Sequence, residues 1–305
     1  MERNLIKNKN HLEINDLASI LRSFSKMRDG KMAGGDKFFN EMEPVILKNL
    51  DKINMDDFSN VIYAYSVRNQ GSEEFNKIVL NKITNEMKSY STWHVLFNVA
   101  WYLLFTTNKD FTLWQSFVDQ VFTIEGKMPL VYYRPFKIAA YYIEFNITNI
   151  DLFDYKDRFF YAEQYYNYTK GEKFFLMDDR FIHFKTLLNV KLGLYPMIST
   201  CFNNLFIINF YWETRKIGIN LHLDRDYVPK SDPIRINEHA RMHSKMLKLN
   251  DWIILDLTWD EYMNIGNQDK RDEFIQNWFT KSCKEQKDRG VDGKPHIDKK
   301  FAALE

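Results

Sequence analysis

The residues best suited to chemistry gather between Leu223 and Leu249. His239 and His243 stand four apart, a spacing that puts two imidazoles on one helix face where they could share a metal ion, with Glu238 beside the first. Ala240, Arg241 and Met242 fill the gap, so the glutamate that a zinc protease carries between its histidines is missing, and a solvent-facing pair is the simpler expectation. The same stretch holds Arg225, Lys230, Arg235, Arg241, Lys245 and Lys248, countered by Asp226, Asp232 and Glu238. On a shared face these six cations would make a phosphate-contact patch, which supplies affinity without reading sequence; the alternative is a solvated face of mixed charge. A second set, Arg22, Asn60, Tyr63 and Asn98, falls in three similar helical segments, where side chains on a concave face could read single-stranded bases. Other chemistries lack their signatures. Gly30 to Gly35 does not end in the Lys-Ser/Thr of a phosphate loop, and there is no Cys-x-x-Cys and no Gly-x-Ser-x-Gly.

The elements that must position these residues are constrained by composition. The chain has 305 residues, 45% hydrophobic and 27% charged, which excludes a disordered chain. Gly at 11 and Pro at 7 argue against collagen-like and many-turned β architectures, and aromatics at 16% supply a large core. The net charge of +1 imposes no nucleic-acid partner and leaves only local basic patches. Cys201 and Cys283 cannot form a disulfide framework and suit a reducing compartment. Trp93 to Phe105 is the most apolar stretch, but a bilayer span needs about 20 residues, and His94 and Asn98 interrupt it. Met1 to His11 shows neither an apolar signal region nor a Ser-rich amphipathic presequence.

Three segments, Leu17 to Phe24, Phe58 to Tyr65 and Trp93 to Ala100, share apolar residues at i, i+3 and i+4, one face of a 3.6-residue period. Between them Phe38 to Leu47, Glu74 to Ile83 and Leu113 to Phe122 form a second helix type, and Arg134 to Phe145 with Asp154 to Tyr168 make a further pair. Asn15-Asp16, Asn54 to Asp57 and Ser91-Thr92 are the expected helix starts. Paired helices that stack on their neighbours make a solenoid-like repeat. The pattern changes near Tyr195. Tyr195 to Cys201, Leu205 to Trp212 and Lys216 to Leu223 read as strands, the last with Ile217, Ile219, Leu221 and Leu223 alternating against Gly218, Asn220 and His222. Arg235 to Leu249 reads as a helix, Trp252 to Leu257 as a buried strand and Asp269 to Cys283 as a closing helix, followed by a charged tail.

This second half resembles the RAP domain, a module of organelle proteins also found in the FAST-kinase-domain family of mitochondrial RNA regulators. The family pattern runs from a strand ending in Glu-x-Asp-Gly, through a helix with Arg-x-x-x-Leu, to a Gly-aromatic stretch closing on Tyr-x-Glu-Trp and a lysine-bearing helix. Here the strand is Ile219 to Asp224, the helix Arg241 to Leu249, and the signature stretch Asp251 to Tyr262. Trp259 stands where the family has Tyr, Glu261 where it has Glu and Tyr262 where it has Trp; Lys270, Arg271 and Phe274 lie on the last helix. The resemblance implies an endonuclease-like α/β fold, C-terminal to helical repeats, that binds RNA. The chain departs from the family at His222, Arg225 and Asp251, which replace a Glu and two Gly. An endonuclease-like core needs several acidic ligands for Mg²⁺, and Asp224 alone matches the first of them.

The expected fold is therefore α+β, with a helical-repeat region over 1–194, a RAP-like domain over 195–283 and a tail over 284–305. The expected function is mitochondrial RNA binding, holding or positioning a transcript or ribosomal RNA without catalysis or cofactor, through the six cations named above. The alternatives are an accessory subunit of a ribosome or respiratory complex that uses the fold for protein contacts, and a metal-dependent RNA nuclease. No transmembrane segment is expected.

Overall fold

The computed structural model describes residues 2–26, 35–106, 108–129, 132–147, 150, 152, 178–202, 206–228 and 235–289. The expected helix Asp154 to Tyr168, residues 290–305 of the charged tail and most of the Gly30 to Gly35 loop lie outside them; the start of that tail is not tail at all, because the closing helix runs past Cys283 to Asp288. The described chain is α+β, mostly helical with one small mixed sheet. Its contacts divide it into two compact units, Met1–Thr169 with Asp224–Met242, and Lys170–Leu223 with His243–Glu305. The first strand begins two residues past Tyr195, while the first division between units falls earlier, at Thr169.

In the first unit the helices are α1 (Glu2–Lys7), α2 (Ile14–Lys26), α3 (Asp36–Lys48), α4 (Met55–Arg68), α5 (Glu73–Glu86), α6 (Trp93–Phe105), α7 (Phe111–Thr123) and α8 (Tyr133–Asn146). Several start where a short polar side chain satisfies an otherwise orphaned N–H. Asn54 accepts from Asp57 N, Ser72 from Phe75 N, Thr92 from Val95 N and Asp110 from Leu113 N. The expected Asn15-Asp16 start is different, because α2 already begins at Ile14. Helices α2, α4, α6 and α8 pack one on the next. The apolar stripe of α2 (Leu17, Ala18, Leu21, Phe24) is buried, and α6 is buried nearly all round. That is why α6 reads as the most apolar segment of the chain. The intervening helices are tied in by specific bonds: Tyr65 Oη donates to Phe39 O at 2.8 Å, and Tyr102 Oη to Asn76 Oδ1 at 2.8 Å.

The second unit is built on β1 (Met197–Phe202), β2 (Phe206–Trp212), β3 (Ile217–His222) and β4 (Ile253–Thr258), in that order across the sheet. The first three run antiparallel and β4 pairs parallel to β3, with Asn220 opposite Asp256 and His222 opposite Thr258. A parallel neighbour requires a crossover, which the chain makes through the helix α10 (Glu238–Lys248). Before the sheet comes α9 (Asp179–Thr186), whose end widens into a π-helical turn, Leu187–Lys191; after it come α11 (Trp259–Asn264) and α12 (Gln268–Asp288).

One sheet face packs Phe210, Ile219, Leu221 and Leu257 against Phe181, Phe184 and Leu188, Tyr262 of α11 and Ile275 of α12. Gly218 on the opposite parity lets side chains meet across β3: a Cβ there would stand 2.7 Å from Ile208 Cγ2 and 3.0 Å from Ile254 Cδ1. Trp252, Ile254 and Leu257 are buried as expected, although β4 ends the strand order and does not lie in its middle. Emptying the Trp252 site should cost about 3–5 kcal/mol. Equilibrium denaturation of Trp252→Ala checks this, and a loss under about 1 kcal/mol would remove Trp252 from the core.

Candidate nucleic-acid interface

The expected basic patch separates into parts with different surroundings. Lys230 and the side chain of Arg225 lie outside the described residues; the Arg225 backbone belongs to a short turn, Asp224–Asp226. Asp224 is exposed in that turn, and β3 ends before it, at His222. Arg235 is drawn into the helical unit, where its Nη2 lies 2.7 Å from Asp36 Oδ1. Asp36 is the first residue of α3 and also holds the fully buried Arg68 at 3.2 Å. A carboxylate at a helix N-terminus is favoured by the helix dipole, and here it gathers two guanidinium groups. Arg235 is thus a structural ion pair. The segment leading to it folds back on itself, with Val228 N bonded to Arg235 O and Asn237 N to Asp226 O, each 2.7 Å.

The remaining three cations lie on α10. Arg241, Lys245 and Lys248 follow at i, i+4 and i+7, which the helical period places on one face. Arg241 and Lys248 are exposed and Lys245 is half-buried. Arg241 has a loose partner in Glu238, at 3.6 Å one turn earlier. His243, expected to face solvent, is buried, because it falls on the side of the helix opposite this basic row. The His239 side chain lies outside the described residues, and among the described residues no group of three His, Cys, Asp or Glu is arranged to hold a metal.

Sequence spacing gave no sign of what anchors α10. Asp256 on β4 is half-buried and is the meeting point of two strands and a helix. Its Oδ1 accepts from His222 Nε2 at 3.1 Å and from the Ser244 hydroxyl, and its Oδ2 faces Lys248 Nζ at 3.3 Å. Ser244 in turn accepts from Asn220 Nδ2 at 2.9 Å. The amides continue the network along the sheet: Asn220 Oδ1 accepts from Asn209 N at 3.1 Å, and Asn209 Oδ1 from Leu221 N at 2.8 Å. These side chains replace ladder bonds beyond the last regular β2–β3 pair, Phe210 with Ile219, and satisfy the N–H groups of Asn209 and Leu221.

Burial alone would raise the Asp256 carboxyl. The hydrogen bond from His222, its charge when protonated, the Ser244 hydroxyl and the Lys248 ammonium together outweigh that and hold the carboxyl below its usual range. An ionised carboxylate only accepts, so His222 carries its proton on Nε2. Ser244 and His222 bond the same carboxylate oxygen, and the Ser244 hydroxyl is spent between Asn220 and Asp256. A relay for nucleophilic catalysis would instead run serine to histidine to carboxylate. The donor set is one carboxylate, two amides, a hydroxyl and an imidazole, which is poor in the hard anionic oxygens that Mg²⁺ prefers.

The signature stretch is similarly committed to structure. Glu261 closes a capping box on Thr258, accepting its N–H at 2.9 Å and its hydroxyl at 2.8 Å, while Thr258 Oγ1 accepts from Glu261 N at 3.0 Å. Tyr262 is fully buried, 5.2 Å from the Phe184 ring, and Trp259 packs beside it at 5.6 Å.

A carboxyl whose folded value is lowered stabilises the fold above the ordinary carboxylate range, about pH 4, and loses that contribution as pH falls through the lowered value. Asp256→Asn should cost about 1.5–3 kcal/mol near neutral pH, the range for hydrogen bonds to a charged group. It should also flatten the loss of stability between about pH 5 and pH 3. Urea titrations of both proteins across that range measure the two effects, and parallel pH profiles would count against an ionised Asp256.

No family model matches the chain, and no curated protein is similar to it.

Proposed function

We propose that this protein is a mitochondrial RNA-binding protein that holds or positions a transcript or ribosomal RNA through a RAP-like α/β module, without catalysing its cleavage. The observation that carries the reading is the row Arg241, Lys245 and Lys248 on α10, a helix pinned to the sheet by Ser244 and Lys248 through Asp256. A rigid line of cations spaced by helical turns suits successive phosphates and needs no base identity. The strand order, with three antiparallel strands, a helical crossover and a parallel fourth, fits the endonuclease-like fold that the resemblance implies. The succession of α2, α4, α6 and α8 fits a helical repeat ahead of it. Commitment of Asp256, His222 and Ser244 to one another supports binding over hydrolysis.

One observation favours the accessory-subunit reading as the second choice. The net charge is only +1, and two of the six expected contacts are already paired, Arg235 with Asp36 and Lys248 with Asp256. A protein-contact role for the same fold needs no more positive charge than this.

Affinity for single-stranded RNA should fall steeply with salt, because each neutralised phosphate releases about one counterion. Replacing Arg241 and Lys245 with Ala should weaken all RNA sequences alike and reduce the salt slope by roughly two units. Fluorescence anisotropy across a salt series checks this. If the double variant binds as the parent does, or the parent shows no salt-dependent binding, the α10 row is not an RNA contact. Incubation of labelled RNA with Mg²⁺ should leave the strand intact, and cleavage lost in Asp256→Asn or Asp224→Asn would establish a nuclease instead.

A further inference from the structure

A second constellation lies on the helical unit, across α2, α4 and α6. Arg22 of α2 lies over the Tyr63 ring of α4, 3.4 Å from its centroid, and Nη1 donates to Asn98 Oδ1 of α6 at 3.1 Å. Among the described residues these are its partners, and no carboxylate is one of them. The guanidinium is half-buried, and that burial lowers it to about 10 against the opposing influence of Tyr63 and Tyr132. It remains a cation at neutral pH, stacked on one face, with most of its donor fork unspent. A partly desolvated cation without a counter-charge attracts an anion, and a planar fork favours the paired oxygens of a phosphate or carboxylate.

What surrounds Arg22 narrows the anion. Tyr63 stacks on Phe97 at 6.0 Å, and Phe97 meets Tyr132 at 4.9 Å, so rings line the face beside the guanidinium. Polar edges interleave with them. His94 Nε2 lies 3.3 Å from both Asn60 Oδ1 and Asn98 Nδ2, and Tyr132 Oη is 3.5 Å from His94 Nδ1. One ring nitrogen cannot donate to Asn60 and accept from Asn98 at once, so the imidazole can switch partners by changing tautomer. Asn98 is fully engaged, its Nδ2 also donating to Ser59 Oγ at 2.9 Å. Arg22, Asn60, His94, Phe97 and Tyr132 are each half-buried, so the face reaches solvent. A cation flanked by rings and amide edges complements an anion attached to a flat, hydrogen-bonding heterocycle. A bare carboxylate would leave the rings and the amide edges without a role.

We propose that this face is a nucleotide site in which Arg22 takes the phosphate, the Phe97 and Tyr132 rings contact the base, and Asn60 with His94 meets its polar edge. The nucleotide is either free or one unit of a single strand. In the second case the site rests on the RNA-binding reading above and adds base contacts to the phosphate contacts of α10.

The experiment uses the whole chain and three probes: uridine and adenosine monophosphates, a short single-stranded oligonucleotide, and inorganic phosphate, each titrated by calorimetry. Saturable binding of a monophosphate, weakened about tenfold or more in Arg22→Gln with unchanged far-ultraviolet circular dichroism, supports a free-nucleotide site; tenfold is the loss of about 1.4 kcal/mol. Oligonucleotide binding alone, weakened by the same substitution, supports a strand-reading site. If Arg22→Gln does not fold, Phe97→Leu keeps an apolar side chain without the ring and should weaken nucleotides while leaving inorganic phosphate unchanged. Binding of inorganic phosphate as tight as any nucleotide overturns the assignment, as does nucleotide binding indifferent to both substitutions, or no binding of any probe. The Arg241 and Lys245 double variant keeps this site intact. A double variant that binds as the parent does, with the Arg22 effect retained, therefore refutes RNA contact through α10 and leaves the nucleotide site standing.

Discussion

The α/β unit depends on one half-buried carboxylate. Asp256 joins β4 to β3 through His222 and joins both to α10 through Ser244 and Lys248. A buried carboxylate is tolerated only when its oxygens are satisfied, and removing any single partner leaves charge or hydrogen-bonding capacity exposed to a low-dielectric interior. That requirement fixes the rotation of α10 about its own axis. With Ser244 turned to the sheet and His243 buried, Arg241 and Lys248 are left facing solvent. The basic row is thus a consequence of how the acidic group is satisfied, and the proposed RNA contact inherits its geometry from a structural bond.

The same bond bears on chemistry. A hydrolytic centre needs groups held ready for a ligand, with lone pairs and protons unspent until it arrives. Here Ser244 stands between Asn220 and Asp256, the amides of Asn209 and Asn220 replace backbone ladder bonds, and Glu261 caps a helix. Polar residues that a sequence pattern would assign to catalysis instead bond one another and the backbone N–H groups of Asn209 and Leu221. The helical unit is the contrast. There Arg22 is half-buried and only partly bonded, the kind of arrangement that a ligand completes.

Much of this fold was legible in the residues. The four strands and the major helices follow the change from a 3.6-residue period to a period of two, because burial on one face selects those periods. Trp252, Ile254 and Leu257 read as core because an apolar run of that length has nowhere else to go. The burial of the second face of β3 was not legible. Asn220 and His222 alternate as a solvated face would, and their partners Ser244 and Asp256 are distant in sequence. Nor could spacing separate Arg235 from its fellow cations, since Asp36, its partner, lies 199 residues earlier. The nearness of Arg22, Asn60, Tyr63 and Asn98 was visible in outline, because equivalent positions on consecutive helices come together once those helices stack. The cation–ring geometry that makes them chemically distinctive was not.

The central claim is that α10 presents this protein to RNA. Ultraviolet crosslinking of the native protein in intact cells, followed by mass spectrometric mapping of nucleotide-modified peptides, tests it most directly. The account predicts modified peptides from the segment Glu238 to Leu249. Recovery of the protein with crosslinks only to other proteins, and no nucleotide on that segment, would contradict it and make the fold a docking element of a larger assembly.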